Sequence, residues 1–144
     1  MTSLTALGPF VLLVSWLCAK FLVLIGLQGF WRLRTRSFRW AEDAAHWGGR
    51  ACPGMAESGP VERAQAALRN DAESQGLFAL ALWAWIALGA PAAWAYAVVA
   101  VYAAARSLHS YWLVTARQPR RNRAFGASVL CLLVVVVDCL RRLT

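Results

Sequence analysis

The sequence predicts an all-α integral membrane protein, a four-helix bundle occupying residues 1–144 as one domain. Three observations carry this. Sixty per cent of the 144 residues are hydrophobic and only 15% are charged, whereas soluble domains hold about 45–50% apolar and about 25% charged residues. Mean hydropathy is +0.49. Apolar residues gather into four segments, at about 8–30, 61–88, 92–114 and 124–140, each of the length that a hydrocarbon core of about 30 Å asks of a helix. The net charge of +8 does not point to nucleic acid, because long apolar runs separate the basic residues and no soluble basic module is left over.

The first segment reads as a retained helix rather than a cleavable signal. It lacks a basic leader, and its apolar run, Leu7 to Phe30, exceeds the usual signal core. Lys20 is its one charge, expected to snorkel or to pair inside the bundle, with Asp138 as candidate partner. Residues 31–60 follow as a cytoplasmic loop. Arg32, Arg34, Arg36 and Arg39 suit lipid phosphates there, and Trp31, Trp40 and Trp47 suit an interfacial belt. Gly48, Gly49, Pro53, Gly54, Gly59 and Pro60 interrupt helix.

The second segment starts near Pro60, with Ser58 as candidate cap. Its first half is highly polar. Gly89, Ala90 and Pro91 then make a tight turn that forces an antiparallel pair with the third segment, which carries Arg106 and His109. A second cytoplasmic loop, 115–123, holds Arg117, Arg120, Arg121 and Arg123. Only Arg141 and Arg142 lie at the opposite end. The positive-inside rule therefore places both loops in the cytoplasm and both termini outside it. The location expected is a multi-pass membrane position, the inner membrane if the source is bacterial, with which the Ala- and Arg-rich usage is in keeping.

Cys18, Cys131 and Cys139 lie in apolar runs and Cys52 in a loop; no CxxC spacing occurs, and His46 and His109 are the only histidines. Neither a metal site nor a disulfide framework is expected.

Residues three, four and seven apart share a helix face. Glu62, Ala66, Arg69 and Glu73 form one row; Arg63, Asn70 and Leu77 form its neighbour. With Arg106, His109 and the second loop, they collect guanidiniums, carboxylates, an amide and an imidazole at one level. Such a set suits a small zwitterion with more than one carboxylate, because arginine forks grip carboxylates, a glutamate takes an ammonium and an amide reads a peptide bond. The same groups would serve equally to neutralise one another between helices, and spacing leaves both readings open.

The run at residues 62–73, ERAQAALRNDAE, with Phe78 after it, resembles the ERxxxAxxNxxE-like signature of the MAPEG family, the membrane-associated proteins in eicosanoid and glutathione metabolism. Ala105, Arg106 and His109 are similar to its ARxxH pattern. Lys20, Arg32, Arg34, Phe38, Glu42 and Asp43, with Pro119, Arg120 and Arg121, are similar to its microsomal glutathione transferase and prostaglandin E synthase branch. The resemblance implies a homotrimer binding glutathione as co-substrate between subunits, near the cytosolic face. It implies that Arg32, Arg69, Asn70, Glu73 and His109 hold glutathione, with Arg106 structural or ligand-facing. It implies that Arg121, or Arg123 in a shifted alignment, stabilises the thiolate, and that Asp43 is an acid near that site. One departure stands out: the branch has a tyrosine one turn after the histidine, and here that position is Leu113. Asn122 also stands where the branch has a serine after its loop arginine.

The function this implies is a membrane-bound glutathione transferase that activates glutathione as the thiolate for attack on apolar electrophiles or lipid hydroperoxides, with peroxidase activity in its scope. The partners implied are glutathione, a hydrophobic substrate, membrane lipid and two further copies of the chain. The alternative is a non-catalytic lipid- or glutathione-binding scaffold of the same fold. An unrelated transporter ranks last, because the polar residues other than Lys20 and Asp138 cluster toward one face.

Overall fold

A computed structural model describes residues 6–53 and 57–144. Among these, five helices and two short strands follow in order: α1 (Gly8–Thr35), β1 (Ser37–Phe38), α2 (Ala41–Trp47), β2 (Arg50–Ala51), α3 (Gly59–Ala87), α4 (Ala92–Val114) and α5 (Gln118–Leu143).

The helix α1 begins with a proline in its first turn, where the missing N–H costs nothing, and ends with Arg32 and Arg34 against the negative end of its dipole. It runs past Phe30, the expected end, because arginine is a good helix former and no breaker intervenes before the left-handed Arg36.

The expected loop 31–60 is partly built. The strands β1 and β2 pair in parallel, Ser37 with Arg50 and Phe38 with Ala51. The helix α2 fills the crossover between them. Gly49 is required there: a Cβ would stand 2.6 Å from the Arg36 carbonyl oxygen and 2.7 Å from the Phe38 ring. The Arg36 guanidinium also donates to the Trp47 carbonyl. Phe38 and Cys52 are buried beneath this knot, and the four cysteines are free thiols. Gly54 falls outside the described residues.

Pro60 lies in the first turn of α3, as expected. Ser58 occupies the cap position but its hydroxyl does not cap; it meets the Thr35 hydroxyl at 3.0 Å and ties α3 to the end of α1. The α3–α4 turn is tight, with Gly89 left-handed at φ 79°. The fourth apolar segment starts at Gln118 rather than near Ala124. Pro119 suits a first helical turn and the arginines after it favour helix, so Arg120, Arg121 and Arg123 are helical rather than loop residues.

The helices α3 and α4 form the central pair, and α1 and α5 each pack on both. The apolar core joins Leu13, Phe78, Leu82, Trp85, Ile86, Ala95, Val99, Tyr102, Cys131 and Val135. Phe78 stacks on Tyr102 with centroids 3.6 Å apart, and Trp16 meets Tyr102 edge-on. Outside, Phe21, Leu22, Leu80, Trp83, Val101, Leu130 and Leu133 are exposed. A continuous apolar exterior on this scale marks a lipid-facing surface rather than a soluble one. Among the described residues, α1 and α5 are by themselves long and apolar enough to cross a membrane.

Candidate functional site

The polar half of α3 sends its side chains in two directions. Asp71 points inward and is buried. Its Oδ2 lies 2.7 Å from Lys20 Nζ on α1, and its Oδ1 lies 2.7 Å from an Arg106 terminal nitrogen on α4. The same Arg106 nitrogen donates to Asn70 Oδ1 at 2.6 Å and lies 3.3 Å from the Asn70 carbonyl. One carboxylate thus joins three helices. Pairing is required there, because an isolated charge at membrane depth is strongly unfavourable.

One expectation is corrected by this network. Lys20 pairs with Asp71, not Asp138; α1 packs on α3 and α4 rather than on α5. Asp138 instead accepts from Trp85 Nε1 and from Arg142 Nε, both at 2.7 Å. Arg106 is fully buried within the chain, with one terminal nitrogen on Asp71 and Asn70 and with Nε and Nη1 lacking a partner among the described residues. It acts on the site through Asn70: with the amide oxygen occupied, Asn70 has its NH2 left to offer.

Arg69, Asn70 and Glu73 form the other direction. Arg69 and Glu73 are exposed. They stand one turn apart, the spacing of a helical ion pair, yet among the described residues no ion pair joins them. Asn70 and Glu73 border a groove of about 270 Å³ between α3 and α5, with Ser74, Leu77, Phe78, Tyr102, Phe125, Ser128, Val129 and Leu132. The groove is apolar toward Leu132 and polar toward Asn70.

On α5, Arg121, Phe125, Ser128 and Leu132 succeed one another at helical spacing and share the groove's face. Arg121 is half-buried; Arg123 lies on another face and is exposed. The first turn of α5 contains no acid. Arg117, Arg120, Arg121 and Arg123 therefore add to the positive end of the helix dipole rather than cancel it, which makes this end attractive to an anion. His109 is buried behind Phe125, ring centroids 5.8 Å apart, and its Nδ1 has no partner among the described residues.

Arg32 and Asp43 are not brought to the groove within the chain. Arg32 makes a two-pronged pair with Glu57, at 2.8 and 2.9 Å. Glu57 is buried and also accepts from Gln65 at 3.2 Å. Asp43 is half-buried on α2, which packs on β1 and β2. Sequence reasoning missed Glu57, hidden among loop residues, and Tyr102. Tyr102 is seven residues before His109 and so on its face of α4. Its hydroxyl is buried beside the groove without a partner among the described residues.

The model of the MAPEG family matches residues 10–141. A search of curated proteins returns no match.

Proposed function

Since the chain belongs to the MAPEG family, membrane helical bundles of glutathione-related or eicosanoid metabolism, we propose that it is a membrane-bound glutathione transferase of the microsomal transferase-like branch. The observation that carries this reading is the outward row of α3. Arg69 and Glu73 are ionisable, exposed and unpaired among the described residues, and Glu73, with Asn70 beside it, borders a groove that turns apolar away from them. Groups that merely neutralised one another would be paired, as Asp71 is.

In this reading Arg69 takes a glutathione carboxylate, Glu73 its ammonium, and the Asn70 NH2 a peptide carbonyl. Arg32, already oriented by Glu57, and Asp43 serve from a neighbouring subunit of a homotrimer. His109 supports the site from behind Phe125. A cysteinyl thiol titrates near pH 8.5, and its thiolate is the nucleophile. Arg121 and the positive end of α5 favour the anion and so raise the thiolate fraction at neutral pH. The electrophile enters from the bilayer along the apolar part of the groove. Sulfur attacks its electron-poor carbon, a C–S bond forms, and a leaving group such as chloride departs with the bonding pair. With a lipid hydroperoxide, the thiolate attacks the terminal peroxide oxygen instead: an S–O bond forms, the O–O bond breaks and the lipid alkoxide leaves and takes a proton; a second glutathione thiol then displaces water from the resulting sulfenic acid and gives the disulfide. The concentration of arginine at the ends of α1 and α5 supports a cytoplasmic position for the site.

The test is conjugation of glutathione to 1-chloro-2,4-dinitrobenzene by purified protein, followed by absorbance, for wild type, Arg69→Ala and Arg121→Ala. Loss of rate in both variants is expected; unchanged rates in both overturn the assignment. Leu113, which leaves no hydroxyl one turn after His109, favours a second reading as a non-catalytic scaffold. Calorimetric titration with glutathione separates the two: binding with turnover supports the enzyme, and lipid binding indifferent to glutathione supports the scaffold.

A further inference from the structure

A second groove, of about 600 Å³, runs between α4 and α5 on the other flank of α5. Its walls include Trp94 and Val98 from α4 and Leu130, Leu133 and Val137 from α5. Leu130, Leu133, Val137 and Trp94 are exposed. At the helix end the groove is closed by Arg141 and Arg142. We propose that it is a binding site for one acyl chain of an anionic phospholipid, whose phosphate is held by Arg141.

Length and charge select this occupant. From Leu130 to Arg141 the wall of α5 extends about 16 Å at about 1.5 Å per residue, close to half of an about 30 Å hydrocarbon core. The groove therefore spans one leaflet, with its cations at the headgroup level. The two arginines there have different roles. Arg142 is committed: its Nε donates to Asp138 at 2.7 Å and its Nη1 to the Gly89 carbonyl at 3.1 Å, while Trp85 Nε1 holds the other side of Asp138. This lattice pins the end of α5 to the α3–α4 turn. Asp138 is thereby neutralised by Arg142, and Arg141 has no acid within ion-pair distance among the described residues. The mouth has one surplus positive charge, which complements one phosphate diester. A zwitterionic headgroup brings its own cation and gains less. This inference does not depend on the glutathione reading, since it uses no residue of the α3–α5 groove's polar end.

The experiment is native mass spectrometry of the intact purified protein offered equal amounts of phosphatidylglycerol and phosphatidylcholine with the same acyl chains. Wild type should retain phosphatidylglycerol about fivefold in preference, the ratio expected of one arginine–phosphate contact near a membrane surface. Arg141→Gln should bring the ratio close to one, and Arg141→Lys should keep most of it. Leu133→Trp, which fills the groove, should reduce retention of both lipids. Equal retention by wild type, or a preference untouched by Arg141→Gln, overturns the proposal. So does cross-linking that places position 133 against a second copy of the chain, which would make the groove a subunit contact. Arg141→Gln changes an exposed side chain with no structural bond, so its result stands even if Leu133→Trp fails to fold.

Discussion

Within one helical turn, α3 treats its charges in opposite ways. Asp71 is buried and contacts two cations from two other helices. Arg69 and Glu73 are exposed and, among the described residues, unpaired. Asn70 lies between the two, its oxygen engaged inward by Arg106 and its nitrogen without a partner among the described residues. Burial decides the difference. A carboxylate enclosed by helices in a low-dielectric surround must carry its counter-ions with it. Groups at the rim can stay solvated until a ligand replaces the water. The inward side is structural and holds the outward side in register.

The largest effect should come from breaking the inward side. Asp71→Ala leaves Lys20 and Arg106 buried without their carboxylate, which should cost about 3–5 kcal/mol. Arg69→Ala and Glu73→Gln, at exposed unpaired positions, should stay within about 0.5 kcal/mol of wild type. Thermal unfolding in detergent reads both. Equal midpoints for Asp71→Ala and Arg69→Ala would erase the distinction between the two sides.

Activity should divide the other way. Arg121→Ala removes positive potential that acts on the developing anion, and a fall in kcat/KM of about a hundredfold is expected at unchanged stability. Arg69→Ala removes a ground-state carboxylate contact, so the KM for glutathione should rise about tenfold while kcat changes little. Initial-rate kinetics over glutathione concentration separate the two. A large drop in kcat for Arg69→Ala would move that residue from holding glutathione to stabilising the reacting sulfur.

Much of this was legible in the sequence, for identifiable reasons. The apolar segments and the Gly89 turn gave the helix order, because length and breakers are local signals. The polar rows of α3 were visible from period alone. Period alone does not say which acid faces inward: Asp71 and Glu73 lie on one polar stretch, the family resemblance assigns only Glu73 to a ligand, and the docking of α1 and α4 is what buries Asp71. Lys20 and Asp138 are both lone charges in apolar runs, which makes them each other's candidate partner in sequence; the sequence does not say that α1 lies on α3 rather than α5. The arginines after Pro119 suggest a loop by their charge, although arginine favours helix and α5 begins at Gln118. Glu57 went unseen because its partner, Arg32, is 25 residues away.

The smallest effect concerns Tyr102, which belongs to both sides. Its ring is core, stacked on Phe78, while its hydroxyl is buried at the groove without a partner among the described residues. Tyr102→Phe keeps the stack and removes only the oxygen. If the hydroxyl has no ligand to meet, the variant should be as stable as wild type or slightly more so, because an unsatisfied buried polar atom is gone, and turnover should not change. If the hydroxyl compensates for the one absent at Leu113, turnover should fall severalfold, as one neutral hydrogen bond of about 0.5–1.5 kcal/mol allows. Leu113→Tyr in the Tyr102→Phe background then decides what was lost. Recovery of rate without a change in unfolding midpoint assigns the oxygen to the outward, ligand-facing side of the bundle; no recovery leaves Tyr102 with the core.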